Sequence, residues 1–525
     1  MATVSPIRPT ARHTATSEHE AATSPIGWID YQARRVPDKP AITELSTGRS
    51  RSYAELRDRI PRLARHLTGL GIGRGDRVAV LSHNSANVFE VLYACAHIGA
   101  IMVPMNWRLS THELRAIARD FTPSAIFFDP DNAEAVAALT EGAPHLHQVC
   151  WDDGVDNAYE RAIAAATEPT SVAHRAAETD PWVIIYTSGT TGQPKGAVHT
   201  LRSVTANLEN SAFAGNVHAD SVALTVLPTF HVAGLHLYAN AALMHGGTVL
   251  IAKTFDPAET LRLFADTALG ITHFCGVPAH YQFMAADPDF QHLAFPPLLA
   301  TVGGSPVPAA MIRTWRDRGV NMMPIYGATE AGSSLLAMPP RGSSGTAAIG
   351  IPLRHVEATI RDDSGTEVAV GEVGELWLRG PMTMHSYWGK PEETAKALTE
   401  DGWLCTGDAA SVDPDGIFHI VDRWKDMYIS GGENVYPAEV ENVLYQHPDI
   451  VLASVIGIPD TKWGETGKAY VVPADGRTVD SEQLRAWCRE RLAPYKVPSQ
   501  IEFRSDLPRN ATGKIVKNKL RNEQA

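Results

Sequence analysis

A run rich in glycine and hydroxyl side chains is the first feature of this sequence that could do chemistry. Residues 186–196 read Tyr-Thr-Ser-Gly-Thr-Thr-Gly-Gln-Pro-Lys-Gly and follow the apolar residues 182–185. Glycine lets backbone N–H groups approach an anion, and hydroxyl groups add further donors. This composition favours binding of a polyphosphate. The run is not a Walker A loop, because Lys195 follows proline and precedes glycine.

Three charged residues stand directly after a glycine or a hydroxyl residue, where a loop could present them to a ligand. Glu330 follows Tyr-Gly-Ala-Thr, Asp408 follows a glycine, and Lys514 follows Thr-Gly near the C-terminus. A carboxylate suits a hard cation or sugar hydroxyl groups. The plainer alternatives are a helix-start carboxylate, a surface salt bridge and a solvated basic tail. In that tail we expect Lys517 and Lys519 to be solvated.

These motifs, taken in their order along the chain, resemble those of the adenylate-forming superfamily. That superfamily includes acyl-CoA synthetases, aryl-CoA ligases, luciferases and the adenylation domains of peptide synthetases. The resemblance covers the chain from about residue 26 to its end, and the ordered set is far more specific than any single motif. The other motifs that carry it are residues 228–234 (Pro-Thr-Phe-His-Val-Ala-Gly), 303–306 (Gly-Gly-Ser-Pro), 326–330 (Tyr-Gly-Ala-Thr-Glu), 402–408 (Gly-Trp-Leu-Cys-Thr-Gly-Asp), 421–426 (Val-Asp-Arg-Trp-Lys-Asp) and 508–514 (Pro-Arg-Asn-Ala-Thr-Gly-Lys).

The resemblance implies how the chain would bind ATP and magnesium. Thr329 would contact the α-phosphate, and Glu330 would hold Mg²⁺. The ribose would be bound by Asp408 and supported by Arg423. The phosphate loop would use Thr187, Ser188, Gly189, Thr190, Thr191, Gly192 and Lys195, and the adenine would lie against Tyr326, Gly327, Gly304 and Ser305.

The resemblance also implies where the two chemical steps would take place. Lys514 would bridge the substrate carboxylate and the α-phosphate during adenylation. His231 would line the acyl tunnel and gate the entry of the thiol, although a packed histidine is the plainer alternative. Lys425 would be the hinge of a rotating C-terminal domain, and Gly431 and Gly432 would let coenzyme A pass against the backbone.

The expected acyl pocket is mostly small and apolar. It shows no charged partner for the acid beyond the reacting carboxylate, which favours a bulky or extended hydrophobic acid over acetate. Fatty, aryl and polycyclic acids all stay open. The pocket residues are Phe230, His231, Val232, Ala233, Gly234, Leu235, Gly303, Gly327 and Ala328.

The sequence therefore predicts an acyl-CoA synthetase that converts a carboxylic acid and ATP to an acyl-adenylate and then to an acyl-CoA. A ligase that loads an acyl-carrier protein shares every motif and is the main alternative. Luciferase-like oxidation also shares them. An amino-acid-adenylating domain is disfavoured, because His231 stands where such a domain would place an aspartate for the substrate ammonium. A non-enzymatic nucleotide-binding protein would have lost Lys514 or Glu330.

The elements that must position these residues form an α/β protein. Apolar runs such as residues 77–81 and 125–128 alternate with helical stretches such as 87–98, which predicts βαβ units and parallel-rich sheets. From about residue 358 the pattern changes to short strands and turns, a β-rich subdomain. We predict a disordered lead-in at 1–25, an N-terminal ATP- and acyl-binding domain at 26–422 and a small mobile α+β domain at 423–525.

Composition excludes several other classes. The net charge is −13, which argues against non-specific binding of nucleic acids. No apolar run reaches the ~20 residues of a membrane span, and the N-terminus lacks the apolar stretch of a secretory signal. Five scattered cysteines fit a reducing compartment, so we expect a cytoplasmic enzyme without zinc. The partners would be the acid, ATP and coenzyme A, and a homodimer stays open.

Overall fold

The computed structural model shows the α/β fold that the sequence predicts, built from mixed sheets and a separate C-terminal domain. It describes residues 25–141, 145–152, 154, 157–166, 177–187, 194–305, 307–338, 348–423, 426–430, 433–461, 463–510 and 515–524.

The first sheet carries most of the candidate site at the carboxyl ends of its strands. Its central strands are parallel, from β13 through β12, β11, β9 and β10 to β1, whereas β2, β14 and β15 run antiparallel to their neighbours. The strand order is β15 (Ile351–Pro352), β14 (Gly332–Ala337), β13 (Asn321–Ala328), β12 (Leu299–Val302), β11 (His273–Gly276), β9 (Val222–Thr225), β10 (Thr248–Ile251), β1 (Pro40–Glu44) and β2 (Ser50–Ser52).

The second sheet presents the candidate phosphate loop at one end. Its strands from β7 to β6 are parallel, and β8 and β18 are antiparallel additions at the edge. The order is β18 (Ser386–Tyr387), β8 (Lys195–Thr200), β7 (Pro181–Thr187), β4 (Ile101–Pro104), β3 (Arg77–Leu81), β5 (Ala125–Phe128) and β6 (His147–Cys150).

Two smaller sheets form the rest of the chain. The third sheet is an antiparallel meander of β16 (Glu357–Arg361), β17 (Gly374–Arg379), β19 (Leu404–Val412) and β20 (Phe418–Arg423). The fourth belongs to the C-terminal domain and contains β22 (Glu433–Val435), β21 (Tyr428–Ser430), β24 (Gly464–Pro473) and β23 (Ile450–Asp460), with β25 (Gln500–Phe503) parallel to β24.

Helices cover these sheets and fill the space between the first two. In the described residues, no helix is both long and apolar enough to cross a membrane. The helices are α1 (Pro25–Arg35), α2 (Tyr53–Gly69), α3 (Ala86–Ile98), α4 (Thr111–Phe121), α5 (Ala133–Thr140), α6 (Ala158–Ala165), α7 (Leu201–Gly215), α8 (Ala241–His245), α9 (Pro257–Ala265), α10 (Pro278–Ala286), α11 (Ala309–Asp317), α12 (Pro391–Ala397), α13 (Pro437–Leu444), α14 (Ser481–Arg489) and α15 (Lys517–Asn522), with a π-helix at Ala233–Asn240.

Helix α7 illustrates how local sequence sets these elements. It begins after Thr200, whose hydroxyl accepts a hydrogen bond from the Ser203 backbone at 3.2 Å. It ends at Asn216, which adopts the left-handed conformation with φ at 51°. Both are favoured residue types at these positions. Buried side chains of α7, such as Leu208, join a core cluster with Trp182 of β7 and Leu235 of the π-helix, which fixes the two sheets relative to each other.

One expectation about the C-terminal tail is wrong. Lys517 is not solvated, because its ammonium lies 2.9 Å from the Glu441 carboxylate and only 15% of its side chain is exposed. Although burial opposes the charge, the carboxylates of Glu441, Asp422 and Asp426 raise the pKa of Lys517. This lysine therefore anchors α15 to α13. Lys519, two residues later, is exposed as expected.

Candidate active site

The candidate phosphate loop joins the ends of two paired strands. Residues 182–185 of β7 are buried, and the strand ends at Thr187, which pairs in antiparallel register with Lys195 at the start of β8. The Thr187 hydroxyl donates to the Lys195 carbonyl at 3.4 Å. Thr187 and Lys195, the described residues at the two ends of the loop, are thus separated by the distance between two neighbouring strands.

The Lys195 side chain connects this loop to the candidate metal ligand. Its ammonium pairs with the Glu393 carboxylate and lies 5.2 Å from the centre of the Tyr387 ring. The Tyr387 hydroxyl in turn donates to Oε1 of Glu330 at 2.9 Å. The Lys195 and Lys396 ammonium groups lower the pKa of Glu393 to about 2. Phosphate oxygens would have to compete with Glu393 for Lys195.

Sequence reasoning missed Tyr387 and Glu393, although a signal was present. They lie in the stretch Tyr-Trp-Gly-Lys-Pro-Glu-Glu, residues 387–393, in which an aromatic pair precedes a proline and an acidic helix start. Proline at the first turn and acidic residues after it are typical of a helix N-terminus. What the stretch could not show is that β18 and α12 bring it beside Lys195.

The backbone at Thr329 is held from the second sheet. The His199 ring, on β8, donates from Nε2 to the Thr329 carbonyl at 2.7 Å. Burial lowers the pKa of His199 to about 4, and the bond to Thr329 opposes that shift only in part. A neutral imidazole thus positions the turn between β13 and β14 that carries Thr329 and Glu330. No spacing in the sequence indicated this role.

The two residues expected to contact adenine and ribose lie side by side. The Tyr326 hydroxyl donates to Oδ2 of Asp408 at 2.5 Å, and both side chains are buried. Gly407, with φ at 68°, allows the turn that aims Asp408 inward. Asp408 pairs in strand register with Arg423, the last residue of β20. Tyr326 of β13 and Asp408 of β19 therefore meet, and the backbone of Arg423 on β20 runs beside Asp408.

Two of the glycines named from the sequence are required by close backbone contacts. A Cβ at Gly303 would lie 2.4 Å from the Ile325 carbonyl oxygen, and one at Gly327 would lie 2.5 Å from that of Ser333. Gly304 has φ at 80°, and Ser305 follows it at the end of the described stretch. Ala328 ends β13. Gly303 and Gly327 therefore lie where neighbouring backbone leaves no room for a side chain.

The candidate acyl motif leads into a π-helix, a rare element that is frequent at functional sites. A Cβ at Gly234 would lie 2.2 Å from the Pro228 carbonyl oxygen, so the chain turns there without room for a side chain. Ala233 and Gly234 line a narrow cavity of about 10 Å³ beside Leu227 and Cys275. Val232 and Leu235 instead belong to the core between the two large sheets. Phe230 is buried beside His231.

His231 lies at the entrance to this motif in an uncharged state. Burial, assisted by the nearby Arg108 charge, lowers its pKa to about 4. Its ring centre is 5.3 Å from that of Phe230. A neutral, partly buried imidazole is compatible with lining a tunnel.

Arg509, in the motif that ends at Lys514, lies against the residues beside the narrow cavity. The Arg509 guanidinium is 4.9 Å from the centre of the Phe283 ring, which packs in one cluster with Ala233, Leu227 and Cys275. Arg509 also pairs with Ile515 as an antiparallel bridge, so the described residues on either side of Lys514 meet here.

Several predicted residues lie outside the described part of the chain. They are Ser188, Gly189, Thr190, Thr191, Gly192, Lys425, Gly431, Gly432 and Lys514.

Within the described stretches, one group of three side chains has ligand atoms close enough to share a metal ion. His83, Asp129 and Asp131 bring these atoms within 4.8 Å. His83 is 2.8 Å from Asp129, and Lys253 is 2.7 Å from Asp131. The His83 ring therefore already hydrogen-bonds to Asp129, and the Lys253 ammonium already pairs with Asp131. The expectation that the enzyme carries no zinc stays a prediction.

Comparisons with known proteins show which family the chain resembles. A family profile described as AMP-binding enzyme matches residues 29–388, and one described as AMP-binding enzyme C-terminal domain matches residues 439–514. The chain is 41% identical to a feruloyl-CoA synthase of an Amycolatopsis species over 94% of this chain and 98% of that protein. It is 37% identical to the long-chain-fatty-acid–CoA ligase FadD13 of Mycobacterium tuberculosis, over 95% and 98%. ATP-bound MatB from Rhodopseudomonas palustris matches with a TM-score of 0.87 at 30% identity, over 95% and 98%.

Proposed function

Because the chain belongs to the AMP-binding enzyme family, we propose that it is an acyl-CoA synthetase that activates a hydrophobic carboxylic acid through an acyl-adenylate. The observation that carries this proposal is the convergence of two residue sets. Tyr326 and Asp408 form one set, and Glu330, Tyr387 and Lys195 form the other. The first suits a nucleoside and the second a metal-bound polyphosphate.

In the first step the acid carboxylate attacks the α-phosphorus of ATP, which forms an acyl–phosphate bond and releases pyrophosphate. Little covalent work falls to the protein in such a displacement, so alignment and neutralisation of charge dominate catalysis. Lys195 and Thr187 would bind the leaving phosphates. Thr329, fixed by His199, would contact the α-phosphate.

Glu330 fits the magnesium ion that this step would use. Magnesium prefers oxygen ligands and keeps several waters, so one carboxylate beside the phosphates is sufficient. Tyr387 occupies Oε1 of Glu330, which leaves Oε2 for the cation. The ion would neutralise charge on the leaving pyrophosphate.

Lys514 would supply the remaining positive charge. The carboxylate and the α-phosphate repel each other, and an ammonium group between them would cancel that repulsion. The contact of Arg509 with Phe283 supports this role, because it places the start of the Lys514 segment beside the acyl cavity.

In the second step a thiolate attacks the acyl carbon and AMP leaves. One cleft would serve both steps if the C-terminal domain rotates about Lys425, exchanging Lys514 for the Gly431–Gly432 segment that would pass coenzyme A. His231, which is neutral, could line the path of the thiol without trapping it as an ion pair.

We expect Lys425→Pro to slow thioester formation more than adenylation. Proline fixes φ near −65°, which opposes the backbone change that a rotation needs. The two half-reactions are measured separately, as pyrophosphate release without coenzyme A and as thioester formation from supplied acyl-adenylate. An unimpaired second step would place the hinge elsewhere. Equal loss of both steps with a lowered melting temperature would mean that proline damaged the fold.

Asp408→Asn should raise the KM for ATP by about 10- to 100-fold with a smaller effect on the KM for the acid. A charged hydrogen bond is worth about 1.5–3 kcal/mol, and the substitution removes the charge while keeping the size. The exposed Asp415→Asn is the matched control and should leave both KM values unchanged. An unchanged KM for ATP in Asp408→Asn would exclude Asp408 from the nucleotide site.

The acid is proposed to be hydrophobic: fatty, aryl or bulky and polycyclic. The cavity beside Ala233 and Gly234 is lined mainly by apolar side chains. The relatives named above act on ferulate, an aryl acid, and on long-chain fatty acids, which supports both of these classes. The five scattered cysteines suit the cytoplasm, where we propose that the enzyme acts.

The proposal is tested with a panel of acids and two acceptors. Purified protein is given ATP, Mg²⁺ and each acid in turn, with pyrophosphate release as the readout, and the best acid is then offered coenzyme A or an acyl-carrier protein. We expect an aryl or medium-chain acid to be activated and coenzyme A to be acylated. Acylation of the carrier protein alone would favour the carrier-protein ligase, and no acid-dependent pyrophosphate would reject acyl activation.

A further inference from the structure

One tyrosine of the π-helix lies between two cavities on the same face of the first sheet. Tyr238 lines the narrow cavity beside Ala233 and Gly234. Its ring centre is 5.1 Å from that of His273, which lines a second cavity of about 270 Å³. The residues around the second cavity are Ala214, Gly215, Asn216, His218, His273, Leu299, Asn321, Met322, Met323 and Met338.

The strand register shows that the two cavities follow one another along the sheet. His273 pairs with Leu299 and Leu299 with Asn321, all at the amino ends of parallel strands. Side chains two residues apart share a face, so Cys275, Thr301 and Met323 come next in the direction of the candidate active site. Gly303 and Ile325 follow at the carboxyl ends. A path along this face of the sheet therefore runs from the candidate active site, past Tyr238, to the larger cavity.

The Tyr238 side chain lies across this path and is held there by its neighbours. Its hydroxyl forms a hydrogen bond with that of Thr301, on the opposite side of the interface between the π-helix and the sheet. Gly215 of α7 lies against the ring, since a Cβ there would be 2.6 Å from it. His273 holds the same region by donating from Nε2 to the Gly215 carbonyl at 2.7 Å. The ring is therefore enclosed by α7, β11 and β12.

Resting on the proposed acyl-CoA synthetase function, we propose that Tyr238 is the floor of the acyl pocket and sets the maximum length of the acid. In this proposal the acid extends from the reaction centre along the narrow cavity to this ring, and the larger cavity lies beyond the ring. That cavity opens toward solvent at Asn216, His218 and Asn321, which are exposed. Removal of the ring would join the two spaces into one path along the sheet.

The test compares wild-type protein with Tyr238→Ala on straight-chain acids from hexanoate to hexadecanoate and on one aryl acid. Each methylene that reaches apolar space is worth about a fourfold gain in kcat/KM. In the wild type we expect this gain to stop at a medium chain length. Tyr238→Ala should extend the gain by several carbons, raising kcat/KM for hexadecanoate by at least about tenfold.

Two further variants separate the role of the ring from damage to the fold. Tyr238→Phe keeps the ring but loses the bond to Thr301, so it should retain the wild-type length limit. Leu299→Trp fills the larger cavity from a partly exposed strand end. In the wild-type background it should leave the whole acid profile unchanged, and in the Tyr238→Ala background it should restore the shorter limit.

The outcomes distinguish this proposal from the function it rests on. No acid-dependent pyrophosphate release by wild-type protein would reject the function itself. If the wild-type protein used hexadecanoate as efficiently as octanoate, the role of Tyr238 as the pocket floor would be rejected, but the acyl-CoA synthetase function would not. A shortened length limit in Leu299→Trp would also reject the floor, because acids would then already reach the larger cavity past Tyr238. This result can be obtained even if the Tyr238→Ala variant does not fold.

Discussion

Replacing Lys514 with alanine should reduce the rate of acyl-adenylate formation by at least about 10²–10³-fold, the usual value of one preorganised charge contact in a transition state. Thioester formation from supplied acyl-adenylate should be nearly unaffected, because the lysine would act only in the first of two domain orientations. The measurement is single-turnover pyrophosphate release for the first step and acyl-CoA formation for the second.

Lys519→Ala is the matched control for this variant. Lys519 is an exposed lysine of the same basic tail, so its removal should change neither half-reaction. Lys517 is unsuitable as a control because it is buried against Glu441. Equal losses in both half-reactions of Lys514→Ala would show that the lysine supports the fold or the cleft in general rather than adenylation.

Glu330→Gln should lower kcat/KM by about 10²-fold or more and raise the Mg²⁺ concentration needed for half-maximal activity. The amide keeps the shape of the side chain and can still accept from Tyr387, but it is a much weaker ligand for a hard cation than a carboxylate. The measurement is a Mg²⁺ titration of pyrophosphate release for wild type and variant.

The exposed Glu400→Gln serves as the control for loss of one negative charge and should behave as wild type. Wild-type activity should also disappear in EDTA and return with added Mg²⁺. Full activity in EDTA would contradict a metal role for Glu330. Stoichiometric zinc in the purified protein would contradict the expectation that the enzyme carries none.

The parts of the fold that the sequence predicted are those with strong local patterns. The buried run at 182–185 lies in a strand, β7, which ends at Thr187. The helix predicted at 87–98 is α3, and Pro437 begins α13 as its fixed φ suggests. In each case the physical cause of the helix or strand lies in residues close together in the chain, so the element can be predicted from a single sequence.

The parts that could not be predicted depend on contacts between distant segments. Tyr387 and Glu393 meet Glu330 and Lys195 only because β18 pairs with β8, almost 200 residues earlier in the chain. The π-helix has no local sequence signal, since it differs from an α-helix in hydrogen bonding rather than in its apolar pattern. Lys517 was expected in solvent because a basic run is usually solvated, yet Glu441 binds it.

The residues of the candidate site were named from resemblance, and the structure adds the relations between them. The bond between Tyr326 and Asp408 joins two motifs that are 82 residues apart. The bond from His199 to Thr329 shows what holds the turn that carries Thr329 and Glu330 in place. These two hydrogen bonds show that motifs far apart in the sequence lie in contact in the folded protein.

The most direct test of the account follows the oxygen atoms of the acid. The acid is labelled with ¹⁸O in both carboxylate positions and converted to acyl-CoA with ATP and Mg²⁺, and the products are analysed by mass spectrometry. If the carboxylate attacks the α-phosphorus, each turnover must leave one labelled oxygen in AMP and one in the thioester. AMP without label, or label in inorganic phosphate together with ADP, would contradict an acyl-adenylate and with it the central claim.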